Sequence, residues 1–348
     1  MLLDPVTLDL APRARELLDR TAGDPRFKLE LPAAQIEIVS PPLATVGDMA
    51  AFLAGARRDL AAAADGLVRL AGAGVHPFAA PEGELNAGER YDRTVEAYGR
   101  VAHRQLVFAF QVHVAVPGPE RALAVYNAMR SYLPELLALS ANAPFHAGED
   151  TGLASVRPKI GEQLPRQGVP PAIESWESFA AELAWGERAG TVSDPRVWWW
   201  ELRPHPIHGT LEVRVPDTQT TVREAAAVAA VVHALAARLA ERHDAGERLP
   251  VAPTWRIEEN RWSALRDGVH GELADLETGR LAPTRDRLAT LLDELAPAAA
   301  ALGCGGELDS ARELAVASGA DRQRAVASDG GDLRAVTQNL AERFLEGT

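Results

Sequence analysis

Apolar and polar residues alternate one for one in a few short stretches of the chain and recur at helical spacing through most of the rest. The strongest alternation is LVFAFQVHVAV, residues 106–116, which predicts a strand over 107–116 with His113 on the face opposite Val112 and Val114, because a strand sends successive side chains to opposite faces. A second stretch, VWWWELRPHPIHGTLEVRVPDTQT at 197–220, predicts two strands, 197–204 and 209–215, joined by a Pro-Ile-His-Gly turn. Glu201, Arg203 and His205 share one parity, and so do Thr210, Glu212 and Arg214. Unpaired charge is costly in an apolar interior. The pairing therefore presents Glu201, Arg203, Glu212 and Arg214 to one wet, charged surface, with Leu202, Leu211, Val213 and Val215 packed behind. QIEIVS, carrying Glu37, reads as a further strand.

Helical periodicity marks 45–66, entered through Thr45 as N-cap, then 88–105, 118–141, 175–190 and 221–243. It returns in a segment around EENRWSALRDG, which carries Asn260, Arg261, Trp262 and Arg266, then in 283–302 and near 331–345. Between the helix ending at 141 and that starting near 175 lies a Gly- and Pro-rich stretch, 142–171, longer than a connector needs and of the kind that borders binding sites. Antiparallel-looking strands among helices, with a helical C-terminal part from about 281, predict a single α+β domain over 1–348 with helices gathered on one face of the sheet.

Composition narrows the picture. With 47% hydrophobic residues a sizeable core can form, and a net charge of −13 argues against a nucleic-acid partner while leaving room for a local basic cleft. Lys28 and Lys159 are the only lysines, so arginine carries nearly all positive charge. The lone Cys304 excludes an intramolecular disulfide framework and a Cys-rich zinc site. The first residues lack the pattern of a signal peptide, and no run approaches ~18 apolar residues. A cytoplasmic protein without a membrane partner is expected.

Four polar clusters hold the candidate chemistry: Glu37; Gln111 with His113; Arg157 with Lys159; and the charged hairpin. QVHVAVPGPERALAVYNAMRSYLPELLALSANAPF, DTGLASVRPKIGEQLPRQGVPP, WWWELRPHPIHGTLEVRVPDTQT and EENRWSALRDG, met in that order between about 30 and 280, resemble the type 2 glutamate–cysteine ligases, or carboxylate–amine ligases. The resemblance implies a glutamine-synthetase-like fold in which an antiparallel sheet forms an active-site bowl backed by helices. It implies ATP and Mg2+ as cofactors, small-molecule carboxylate and amine substrates, a homo-oligomer, and amide formation through an acyl phosphate. On that footing Glu37, His113 and Glu212 are candidate metal ligands, magnesium preferring carboxylate oxygens. Arg203 and Arg214 are candidate catalytic groups for charge on the transferred phosphoryl. Arg157, Lys159 and Arg266 are candidate nucleotide contacts.

The sequence also departs from the family pattern. Members open with a Gly-Val-Glu-Glu-Glu-Phe strand before a Leu-Leu-Asp-Pro-like turn, whereas this sequence opens at MLLDP; metal-binding carboxylates and one strand of the sheet are then expected to be missing, with weak ATP binding and an edge left to be covered. Gln111 stands where the family has a first histidine, and Val156 and Gly161 where it has aromatics. A non-catalytic relative acting as a binding or interaction module is the alternative reading.

Overall fold

The structure, a computed structural model, describes residues 1–192, 197–330 and 332–348. Its strands are β1 (Leu2–Leu3), β2 (Phe27–Leu29), β3 (Ile36–Ile38), β4 (Arg69–Leu70), β5 (Val112–Ala115), β6 (Phe145–His146), β7 (Glu149–Asp150), β8 (Leu202–His205), β9 (Thr210–Val213), β10 (Glu272–Ala274) and β11 (Leu281–Pro283). The helices are α1 (Ala14–Arg20), α2 (Val46–Ala64), α3 (Glu89–Tyr98), α4 (Pro119–Met129), α5 (Leu133–Ser140), α6 (Arg157–Gly161), α7 (Trp176–Arg188), α8 (Val222–Asp244), α9 (Thr254–Asp267), α10 (Thr284–Ala301), α11 (Gly305–Val316), α12 (Gly319–Ser328) and α13 (Leu333–Glu342). This is an α+β fold whose paired strands are all antiparallel.

The sheet expected as one continuous bowl is assembled from small pieces. The central one has three strands in the order β5–β9–β8, and pairs β1–β4, β2–β3, β6–β7 and β10–β11 surround it. Each central strand is shorter than the alternation predicts, and for a local reason. The β5–β9 pairing continues irregularly as Phe110 N–H donates to Pro216 O (3.0 Å) and Thr218 N–H to Phe108 O (3.0 Å), but Pro216 has no N–H to return. Before β8, Glu201 N–H donates instead to Gly168 O (3.0 Å) in the long loop. At the chain start, Leu2 and Leu3 pair with Leu70 and Arg69, and the Met1 amine donates to Ala71 O (2.9 Å) in a buried position.

Behind the central sheet lies the main core. Leu202, Leu211, Val213 and Val215 are buried as the parity required, against the alanine- and valine-rich α8 with α4, α5, α9, α10 and α11 around it. Small side chains along α8 let neighbouring helices approach closely, which suits a central helix buried along most of its length. Its first turn is closed by a capping box: Glu224 N–H donates to Thr221 Oγ1 (3.2 Å) and Thr221 N–H to Glu224 Oε2 (3.0 Å). The residues after 283 form α10 to α13, preceded by a β10–β11 hairpin that the sequence pattern did not predict. The predicted helix 88–105 breaks at Gly99, after which Gly99–Arg104 is 3-10.

Candidate active site

Register places the first group of side chains. His113 on β5 lies across from Glu212 on β9, and Arg203 on β8 lies across from Glu212 on the other side, so the three form a row on one face of the sheet. Arg203 Nε donates to Glu212 Oε2 (2.5 Å) and its Nη1 to Trp198 O (2.7 Å). Arg214 Nη1 donates to Glu212 Oε1. Glu212 is 1% exposed, so two guanidiniums share one buried carboxylate. Burial alone would raise its pKa, but Arg214 and Arg203 outweigh it and hold the carboxyl down at about 2.

Glu201 lies just before β8 and lacks the predicted wetness. It is buried, and Arg261 of α9 grips it with Nε–Oε2 at 2.8 Å and Nη2–Oε1 at 2.6 Å, while Arg261 Nη1 reaches Glu162 Oε1 at 2.6 Å. The alternating charges are thus tolerated mainly by pairing, and the face is drier than alternation suggested. Physics allows either solution, since a buried charge needs water or a partner.

Three imidazoles close one side of the row. His205 and His208 stack with ring centroids 4.4 Å apart, and His113 stands 5.2 Å from His205 and 5.6 Å from His208. The Nδ1 of His113 meets Thr210 Oγ1 at 2.9 Å, and His205 Nδ1 accepts the His208 N–H at 3.2 Å. Burial lowers the His113 pKa to about 4 against the opposing pull of Glu212, so the ring is neutral at pH 7. Glu37, on β3 opposite Lys28, is half-buried. Burial, then the neighbouring Glu30, raises its pKa to about 7, while Lys28, Arg214 and Arg90 act against the rise. Glu37 therefore lies within the field of Arg214.

The other sequence-selected residues sit elsewhere. Arg157 is buried and its Nε donates to Asp217 Oδ1 at 2.6 Å; Asp217 also accepts Asn142 N–H (2.7 Å) and Ser155 Oγ–H (3.0 Å). That hub ties the strand end after β9 to the long loop. Backbone crowding shows how closely it is built: a Cβ at Gly74 would lie 2.7 Å from the Asp217 carboxyl carbon. Lys159 pairs with Glu162 (2.7 Å) and sits 5.5 Å from the Trp262 ring. Arg266 pairs with Asp267 (2.8 Å) at the C-terminal end of α9, where it borders a cavity of about 920 Å³ with Asp150, His270, Glu272 and Arg324. The row of β5, β9 and β8 does not line that cavity. Sequence reasoning missed Asp217 and Arg261 as partners, because their carboxylate–guanidinium contacts bridge 60 residues of sequence.

A preassembled magnesium site does not fit these residues. Both Glu212 oxygens are committed to guanidiniums, and His113 Nε2 is 3.9 Å from Glu212 Oε1. Among the described residues no group of three or more His, Cys, Asp or Glu side chains is arranged to hold a metal ion. No helix among them is long and apolar enough to cross a membrane.

The family model for glutamate–cysteine ligase family 2 matches residues 2–339. A Rubrobacter xylanophilus protein carrying a provisional glutamate–cysteine ligase 2-3 name is 40% identical over 347 residues, covering 98% of this chain and 94% of that protein. One from Thermobifida fusca, provisionally named glutamate–cysteine ligase 2, is 37% identical, covering 95% and 84%. Among solved structures, glutamate–cysteine ligase from Francisella tularensis in complex with AMP superposes with a TM-score of 0.69 at 10% identity, covering 92% of this chain and 82% of that one. A bifunctional glutathione synthetase from Pasteurella multocida superposes with a TM-score of 0.65 at 15% identity, covering 92% and 48%. These two likenesses concern the fold.

Proposed function

Because the chain belongs to glutamate–cysteine ligase family 2, we propose that it is an ATP-dependent carboxylate–amine ligase whose reaction takes place over the β5–β9–β8 face. The observation that carries this reading is the row of His113, Glu212 and Arg203 with Arg214 beside it. It is a fixed patch of guanidinium charge on the sheet that the family resemblance marks as the bowl. In the proposed reaction an oxygen of the substrate carboxylate attacks the γ-phosphorus of ATP, the bond to the β-phosphate oxygen breaks, and ADP leaves. The amine nitrogen then attacks the acyl carbon, the C–O bond to phosphate breaks, and the nitrogen gives up a proton as the amide forms. Glutamate and cysteine are the proposed carboxylate and amine.

Arg203 and Arg214 serve this reaction by preorganisation. Held by Glu212, they face developing phosphoryl charge without having to reorient, the condition under which electrostatic stabilisation is most effective. His113, neutral at pH 7, can accept or donate a hydrogen bond at Nε2 while Thr210 fixes Nδ1. Arg157 acts at one remove, holding the end of β9 through Asp217. Magnesium enters only as the counterion that arrives with ATP.

The test is phosphate release by the full chain with ATP, L-glutamate and a panel of amines including L-cysteine. Release that requires both carboxylate and amine, matched by amide formation, supports the proposal. One observation favours a non-catalytic binding protein instead: both oxygens of Glu212 are already occupied. Saturable nucleotide binding without phosphate release under any amine would decide for it.

A further inference from the structure

One helix has no place in the chemistry above. Among the residues of α3 none is buried, and its apolar stripe of Tyr91, Val95 and Tyr98 is only half-covered. Among the described residues, two side-chain hydrogen bonds tie it to the body. Near its start the Tyr91 hydroxyl donates to Leu29 O (2.9 Å), on the strand that pairs with the one bearing Glu37. At its end the Tyr98 hydroxyl accepts a hydrogen bond from Arg166 Nη2 (2.7 Å), and the Tyr98 ring meets Trp199 edge-on at 5.7 Å, next to Trp198, whose carbonyl holds Arg203. The helix therefore runs from the Glu37 hairpin to the tryptophan segment beside the guanidinium row.

Both ends of α3 are built to bend. Gly88 precedes it at φ +144° and Gly99 follows at φ +58°, backbone shapes that favour glycine. At Gly99 an added Cβ would meet nothing within 4 Å, so the backbone conformation, not space, calls for glycine. The latch residue Arg166 is itself a non-glycine at φ +60°, a conformation that surrounding contacts must hold in place. Arg90 is exposed on the first turn, and among the described residues its guanidinium has no carboxylate within ion-pair distance, although Glu37 lies within its field.

We propose that α3 is a hinged lid over the charged face, swinging on Gly88 and Gly99, and that Arg90 is the binding residue it delivers to an oxyanion of the substrate, either ATP phosphate or the carboxylate. This inference rests on the ligase reading. An acyl phosphate is destroyed by water, and lids that close over such intermediates exclude it.

Hydrogen–deuterium exchange on the full chain tests the lid. Adding magnesium-ATP with L-glutamate should slow exchange across 88–99 by about tenfold while α8 stays unchanged; unchanged exchange in 88–99 overturns the lid. Arg90→Ala should raise KM for ATP or for the carboxylate by ~10–100-fold, the range expected for one charge-assisted hydrogen bond, with Tm unchanged and partial rescue by Arg90→Lys. Whichever KM moves identifies the oxyanion, and no movement in either overturns the role of Arg90. Tyr98→Ala should increase phosphate released per amide formed; an unchanged ratio in an active protein counts against water exclusion by the lid. If the wild-type chain forms no amide, the ligase reading fails, and the exchange result alone decides whether α3 closes.

Discussion

Replacing Glu212 by Gln removes one negative charge and leaves two guanidiniums, Arg203 and Arg214, without the carboxylate that both contact. Breaking a buried ion pair by deleting one partner costs about 3–5 kcal/mol. Arg203 keeps its bond to Trp198 O and Arg214 is partly solvated, which argues for the lower end, about 3 kcal/mol. With an unfolding entropy of about 2.1 cal/mol/K per residue, a 348-residue chain shifts by roughly 1.4 °C per kcal/mol, so the melting temperature should fall by about 4 °C. The pH dependence is the sharper signature. The folded-state pKa of Glu212 is depressed from 4.5 to about 2, so its stabilisation is fully present above the unfolded value and is lost as pH falls through the folded one. Thermal unfolding of wild type and Glu212→Gln should therefore differ by a constant amount from pH 8 to 5 and converge between about 4.5 and 2. The triple variant Arg203→Met, Glu212→Leu, Arg214→Met should recover most of the stability without activity, because apolar replacement of a whole buried ion cluster is often neutral or better. A loss under about 1 kcal/mol, or a gap that persists unchanged to pH 3, would refute the account of this cluster.

Glu37 should behave in the opposite sense. Its folded pKa is raised to about 7, so the folded state holds a proton more firmly than the unfolded state and stability falls as pH rises from 4.5 through 7; Glu37→Gln should be more stable than wild type at pH 8 and level with it at pH 4 in denaturant titrations. Arg214→Ala should lower turnover by about 10²–10³, with a stability loss smaller than that of Glu212→Gln because Arg203 still pairs with the carboxylate; an equal fall in both would make Arg214 purely structural. Asp217→Asn should destabilise by ~3–5 kcal/mol in chemical denaturation, since it strands the buried Arg157, and Gly74→Ala should be destabilised as well, because its Cβ would strike the Asp217 carboxyl.

The central hairpin was legible because a period-two pattern is a local property: parity alone placed Arg203 with Glu212 and put Leu211 and Val213 in the core. The antiparallel α+β class followed from the same signal. Strand ends were not legible, since they depend on what the backbone finds as a partner. Pro216 interrupts one ladder, and Gly168 diverts another. Whether charges on the face are wet or paired was equally out of reach, because Glu201 meets Arg261 of α9 only through a tertiary contact 60 residues along the chain. Arg157, selected with Lys159 as a nucleotide contact, proves to be buried on Asp217, and Arg266 borders a different cavity. In both cases the residue type suited phosphate, but the guanidinium is taken by a carboxylate: Asp217, 60 residues away, for Arg157, and the adjacent Asp267 for Arg266. Gly88 and Gly99 were visible as letters, yet their role as hinges emerges only from the sparse packing of the helix between them.

The most direct test of the central claim is isotope transfer. L-glutamate labelled with ¹⁸O in its side-chain carboxylate is incubated with the full chain, magnesium-ATP and L-cysteine, and the phosphate is analysed by mass spectrometry. The acyl-phosphate reading predicts ADP as the nucleotide product, with one ¹⁸O carried into phosphate for each amide formed. Unlabelled phosphate, AMP with pyrophosphate, or nucleotide binding without any phosphate release would contradict it.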